Sequence, residues 1–170
     1  MKYFFDTEFQ EMTYPEAPML ISIGITDEKG RQFYATANFE EGKCNQWTLD
    51  NLLPVLHLDC WQTSFTTRVA AYASLDQIRR EILEFIGGDP EPQFWAYYGA
   101  YDWFLLCQIF GGMMQLPAHW QETYCDLRVM LNAAGHSNIG QPSDHIHNAL
   151  FDARWVKATW EQYLRGTPNG

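Results

Sequence analysis

The chain opens on Lys2-Tyr3-Phe4-Phe5-Asp6-Thr7-Glu8-Phe9, a run whose apolar half reads as a β-strand buried on both sides and whose far end is acidic. Side chains alternate along a strand, so Asp6 and Glu8, spaced i, i+2, point to the same face. A polar segment with two prolines, Gln10 to Pro18, reads as a loop beside that pair. Met19–Thr26 alternates and is rich in Ile, Asp27-Glu28-Lys29-Gly30 marks a turn, and Gln32–Phe39 is strand-like again, which predicts an antiparallel meander of three strands. Residues 40–73 carry less pattern: Thr48–Leu58 reads as a helix interrupted by Pro54, and Trp61–Tyr72 has no clean period. Ser74 then reads as an N-cap with Gln77 three residues on, ahead of a stripe of Leu75, Ile78, Ile82, Phe85 and Ile86 that stops at Gly87-Gly88.

Beyond the connector at Pro90 and Pro92, Phe94–Tyr98 reads as a fully buried parallel strand. Gly99-Ala100 turns the chain into a helix from about Tyr101 to Phe110, closed by Gly111-Gly112. Thr123–Cys125 predicts a short strand, Leu127–Ala134 a helix, Gly135–Ser143 a polar loop and Asn148–Leu164 a last helix. Strands first, then helix and strand in alternation, predict an α/β fold: a mixed five-stranded sheet, antiparallel meander plus parallel strands, with helices on both faces. A length of 170 residues suits one domain, placed at residues 1–165, with 166–170 as a frayed tail.

Charge narrows the function classes. With 21 acidic against 11 basic side chains the net charge is −10, the wrong sign for gripping long nucleic acid electrostatically. A site that handles a short nucleic-acid end survives that test, because metal ions within an acidic cluster would supply a local positive field. Cys44, Cys60, Cys107 and Cys125 have neither paired nor metal-finger spacing and read as reduced thiols. No basic-then-apolar leader and no stretch of bilayer-spanning length is present, so the expectation is a soluble, cytoplasmic protein.

Candidate chemistry begins with Asp6 and Glu8, which have no adjacent Lys or Arg. Desolvated anions side by side are relieved by sharing a proton or by binding a hard, oxygen-preferring cation such as Mg²⁺ or Mn²⁺. Asp102, with Leu105, Leu106 and Ile109 at i+3, i+4 and i+7, shares the apolar face of its helix; the competing reading is a simple helix cap. Asp152 lies beside Ala149 and Val156 on the buried stripe of the last helix, and its competing reading is a salt bridge to Arg154 or Arg128. His147 stands at that helix's entrance, where a loop can aim an imidazole into the same cleft; the alternative is an ordinary surface or hydrogen-bonded histidine, and His145 close by shows that a histidine alone carries little signal.

Taken together, Phe5-Asp6-Thr7-Glu8, Tyr98-Gly99-Ala100-Tyr101-Asp102 and His147-Asn148-Ala149-Leu150-Phe151-Asp152-Ala153-Arg154 resemble the DEDD-type 3′→5′ exonucleases of the ribonuclease H-like fold, in the variant with histidine in the third motif. The resemblance spans nearly the whole chain. It is greatest to the small bacterial exoribonucleases related to the polyadenylate-specific exoribonuclease AS, and Phe9-Gln10-Glu11 departs from the Thr-Thr-Gly of proofreading subunits. It implies two Mg²⁺ or Mn²⁺ ions held by Asp6, Glu8, Asp102 and Asp152, His147 as general base, and hydrolysis of single-stranded RNA 3′ ends to nucleoside 5′-monophosphates such as AMP. Phe9, Tyr101 and Trp103 are candidate walls for the terminal nucleotide, with core packing as the alternative for each. Single-stranded DNA as the substrate and an inactive binding module of the same fold are the alternative functions, and relatives of this kind include homodimers.

Overall fold

The structure, a computed structural model, describes residues 1–56, 67–142 and 147–166. The expectations for Leu58, for residues 61–66, for Ser143 and His145 and for 167–170 fall outside those residues. β1 (Lys2–Gln10), β2 (Met19–Asp27) and β3 (Gln32–Ala37) form the expected antiparallel meander. β4 (Thr67–Ala73) adds to β3 in parallel, while β5 (Gln93–Ala96) and the short β6 (Cys125–Asp126) add in parallel on the other side of β1. Among the described residues the sheet therefore has six strands in the order β4-β3-β2-β1-β5-β6, one more than the five expected.

The additional strand is β4, at the sheet edge. Its apolar positions are mostly alanines, and its register to β3 slips between Ala35 and Ala37. Ala70 and Ala73 are buried, whereas Tyr72 is exposed with a left-handed φ of 48°. Small side chains and a broken alternation leave no period-two signal to read.

Both faces of the sheet are covered. Tyr3 and Phe5 of β1 pack in one core with Ile78, Ile82 and Phe85 of α2 (Leu75–Ile86) and Leu105, Leu106 and Ile109 of α3 (Ala100–Ile109). Phe4, of opposite parity, packs with Trp95, with Leu127 and Leu131 of α4 (Leu127–Ala133) and with Val156 and Trp160 of α5 (Ala149–Tyr163). α2 begins as its sequence dictates, with the Ser74 side chain accepting from the Gln77 backbone N–H. Leu75, counted in its buried stripe, instead stands 43% exposed at the first helical position. Residues 46–55 hold a short helix, α1 (Gln46–Asn51), followed by a 3₁₀ turn at Leu53–Val55 that contains Pro54. No helix among the described residues is long and apolar enough to cross a membrane.

One glycine sets the spacing between layers. Gly24 of β2 pairs with Asp6, and a Cβ there would lie 2.4 Å from the backbone of Ala149 and Leu150. Glycine inside a strand marks such a close approach. Gly24→Ala should lift the start of α5 off the sheet, at a cost of about 3 kcal/mol, the upper end for overpacking. A thermal melt matching the unaltered chain would show that α5 does not depend on this contact.

Candidate active site

Asp6 and Glu8 project from the C-terminal half of β1 toward the face that α5 covers, as strand parity requires. Asp152, in the first turn of α5, is 5% exposed and meets them there. Ligand oxygens of Asp6, Glu8 and Asp152 all lie within 4.8 Å of one another. The position of α5 is fixed by Asn148, whose side-chain oxygen accepts from the Leu150 and Phe151 N–H groups while its amide donates to the Val55 carbonyl at 3.0 Å. A fully buried Asn148 thus caps the helix and ties it to the 3₁₀ turn.

Asp102 reaches the site from the opposite layer. Thr7 lies between Asp6 and Glu8 in sequence and points to the other face, where its backbone N–H and its hydroxyl donate to Asp102 Oδ1 at 2.8 and 2.6 Å. Asp102 therefore bonds across to β1, beyond the helix-cap role that its place in α3 alone suggests. The turn that launches α3 is tight: Tyr98 has a φ of 53°, and a Cβ on Gly99 would lie 2.4 Å from Ala96 Cβ. Asp126 buttresses this turn by accepting from the Gly99 N–H at 3.1 Å.

Burial dominates the electrostatics. Glu8 is pushed up to about 9, first by burial and then by the charges of Asp152 and Asp102. Asp6 is raised well above the usual carboxylate range, by burial and then by Asp102, Glu8 and Asp152. Asp102 rises only to about 6, because the two Thr7 hydrogen bonds favour its anion against burial. Among the described residues neither Asp6 nor Glu8 has an ion-pair partner. A hard cation with oxygen preference fits this donor set, since it would relieve the repulsion among carboxylates of which Asp6 and Glu8 have no ion-pair partner among the described residues.

The region with the least sequence pattern contacts both His147 and the end of β1. Trp47 of α1 meets the His147 ring edge-on at 5.0 Å. Gln10, at the end of β1, accepts from the Asn45 N–H at 2.8 Å and the Thr48 hydroxyl at 2.9 Å, which fixes α1 against the strand. Gln141 donates to Asp152 Oδ1 at 2.8 Å, and Arg128, weighed as an ion-pair partner for Asp152, directs its guanidinium to the carbonyls of Ser137 and Ile139. The supporting roles of Gln10, Asn45, Trp47, Asp126 and Gln141 were not visible in the sequence. Asn148, like Asn45 and Asp126, carried a signal only as a cap residue preceding a helix.

The aromatic candidates divide. Phe9 and Tyr101 stack on each other, with centroids 5.1 Å apart and 23° between planes. Tyr101 is 47% exposed and lines a groove of about 360 Å³ with Met12, Tyr14, Pro18 and Phe104. Trp103 is 9% exposed and packs on Phe94 and Tyr124, so its ring belongs to the core and offers no wall to a nucleotide. Two positions along a helix turn a side chain by about 200°, which separates Tyr101 from Trp103.

Comparison with known proteins decides the family. A model described as the 3′-5′ exoribonuclease Rv2179c-like domain matches residues 1–164. The chain belongs to this family. Two relatives from different strains of Mycobacterium tuberculosis, the 3′-5′ exoribonucleases Rv2179c and MT2234.1, are each 34% identical over 157 residues, covering 91% of this chain and 88% of the relative. Membership in the Rv2179c-like family makes the chain an enzyme, a nuclease of the hydrolase class.

Proposed function

We propose that the chain removes nucleotides from the 3′ ends of single-stranded RNA by metal-dependent hydrolysis, releasing nucleoside 5′-monophosphates. The observation that carries the metal dependence is the convergence of Asp6, Glu8 and Asp152 oxygens within 4.8 Å, Glu8 and Asp152 buried and Asp6 half-buried. Asp6, Glu8, Asp102 and Asp152 would hold Mg²⁺ or Mn²⁺, two ions in the histidine-variant DEDD reading. Bound there, they would supply Lewis-acid activation of the attacking water and charge stabilisation at the leaving 3′-oxygen. The order of the sheet, a meander followed by parallel strands, supports a ribonuclease H-like assignment.

The protein's own groups have separate tasks in this reading. His147, at the entrance of α5, takes the proton of the attacking water, a task for which an imidazole side chain is suited. Thr7 holds the Asp102 carboxylate in place from the opposite face of β1. The Phe9–Tyr101 stack offers an aromatic surface to the terminal base, and Glu11 and Glu16 on the groove beyond repel phosphate. With a net charge of −10 and no basic track, contact is confined to the 3′ end and action is distributive.

The test is digestion of 5′-labelled RNA and DNA of one sequence with Mg²⁺ or Mn²⁺ and an EDTA control. A metal-dependent ladder that shortens from the 3′ end on RNA is expected. Equal trimming of DNA would replace RNA by single strands in general, and binding of either without cleavage would overturn hydrolysis. In the same assay Tyr101→Ala should raise KM roughly tenfold with little change in kcat, as loss of one base stack of about 1–3 kcal/mol requires. An unchanged KM would remove Tyr101 from the substrate site.

A further inference from the structure

The loop from Gly135 to Pro142 approaches α5 and is anchored along its length. Arg128, in the first turn of α4, donates from its two terminal nitrogens to the carbonyls of Ile139 and Ser137, each at 2.7 Å. Ile139 packs on the core that contains Trp95, Val156 and Trp160. Arg128 is placed in turn by Asp126, the N-cap of α4, whose carboxylate accepts from the backbone N–H groups of Arg128 and Val129 as well as Gly99. At the far end of this loop Gln141 Nε2 donates to Asp152 Oδ1 at 2.8 Å.

The choice of an amide is informative. Any N–H donor at this position would hold the plane of the Asp152 carboxylate, but an ammonium or guanidinium would also oppose a cation bound beside it. Gln141 supplies the hydrogen bond without the charge. Arg128 is turned onto two backbone carbonyls of the loop, which holds the loop in place.

We propose that Gln141 is a positioning residue of this active site: carried on a loop that Arg128 clamps, it fixes the Asp152 carboxylate and thereby sets the affinity for divalent cations. The proposal rests on the metal-dependent reading above. Arg128 acts through Gln141 and touches neither substrate nor metal.

The test compares the full chain with Gln141→Ala, Arg128→Met and the double variant, following Mn²⁺ titration by calorimetry and by thermal shift. Gln141→Ala should melt in EDTA within about 2 °C of the unaltered chain, as a half-buried loop side chain allows. Its Mn²⁺ midpoint should rise roughly tenfold, the usual effect of losing a group that orients a ligand. At saturating Mn²⁺ the KM for RNA should be unchanged and kcat restored to within a few-fold of the unaltered chain. Arg128→Met should move the Mn²⁺ midpoint in the same direction, and the double variant no further than the larger single effect, because the two act in series.

A midpoint unmoved by Gln141→Ala, in a chain whose unaltered form responds to Mn²⁺, would overturn the positioning role alone. Additive shifts in the double variant would overturn the dependence of Arg128 on Gln141. Absence of any Mn²⁺ response in the unaltered chain would overturn the metal-dependent reading and this proposal with it.

Discussion

Asp152→Asn should abolish RNA hydrolysis while the apo protein stays folded and melts at the same temperature or higher. Asp152 is buried against Asp6 and Glu8, and its charge is the first among those that push up the Glu8 carboxyl. The amide nearly preserves volume and keeps an oxygen, so packing beneath α5 is retained, whereas one of the repelling charges is gone. In the metal-dependent reading the same change removes an anionic ligand, and the loss of transition-state charge stabilisation is several kcal/mol. A fall in kcat of about a thousandfold, equivalent to roughly 4 kcal/mol of barrier, is expected under single-turnover conditions. Substantial residual turnover in this variant would remove Asp152 from the catalytic set, and an unfolded product would show that its role is packing.

The apo enzyme should lose stability as pH rises from about 5 to 9, and Mn²⁺ should restore it most at the alkaline end. Glu8 moves from an ordinary value of 4.5 to about 9 on folding, Asp102 from 3.8 to about 6, and Asp6 well upward. A raised acid holds more protons folded than unfolded between its two values, so the stability slope is negative there. The contribution is fully present below the unfolded value near 4.5 and is lost as pH climbs through the folded value near 9. In the metal-dependent reading a divalent ion would replace those protons as the relief of repulsion. At a hundredfold excess over its Kd it would add about 2.7 kcal/mol, or roughly 5–10 °C in melting temperature for a chain of this size. Melting curves that are flat from pH 5 to 9 and insensitive to Mn²⁺ would rule out both the stored repulsion and the ion site.

The carboxylates were legible because short-range geometry places them. Period two on β1 sends Asp6 and Glu8 one way, and helical spacing put Asp102 and Asp152 among apolar neighbours, where their burial is observed. The meander and α2 followed from equally local signals, Ile alternation and a Ser74 cap. What could not be read depends on distant partners. Gly24 has meaning only against Ala149, Asn148 only against Val55, Gln10 only against Asn45 and Thr48, and Gln141 only against Asp152. β4 escaped because alanines at a sheet edge carry little hydrophobic contrast. Trp103 was within reach of helix geometry, since only one of Tyr101 and Trp103 can face outward from α3.

Thr7 gives the site a property that no single carboxylate has. Its neighbours Asp6 and Glu8 look toward α5, while Thr7 itself grips Asp102 on the layer built by α2 and α3. The four acids are thus brought together by one strand acting as a rivet through the sheet, and neither helical layer alone completes the set. In the proposed four-carboxylate site, cutting would demand both layers: a half-assembled copy, with one layer still open, would carry the acids but not their arrangement. On that reading such a chain would spare surrounding RNA until both layers are closed over β1.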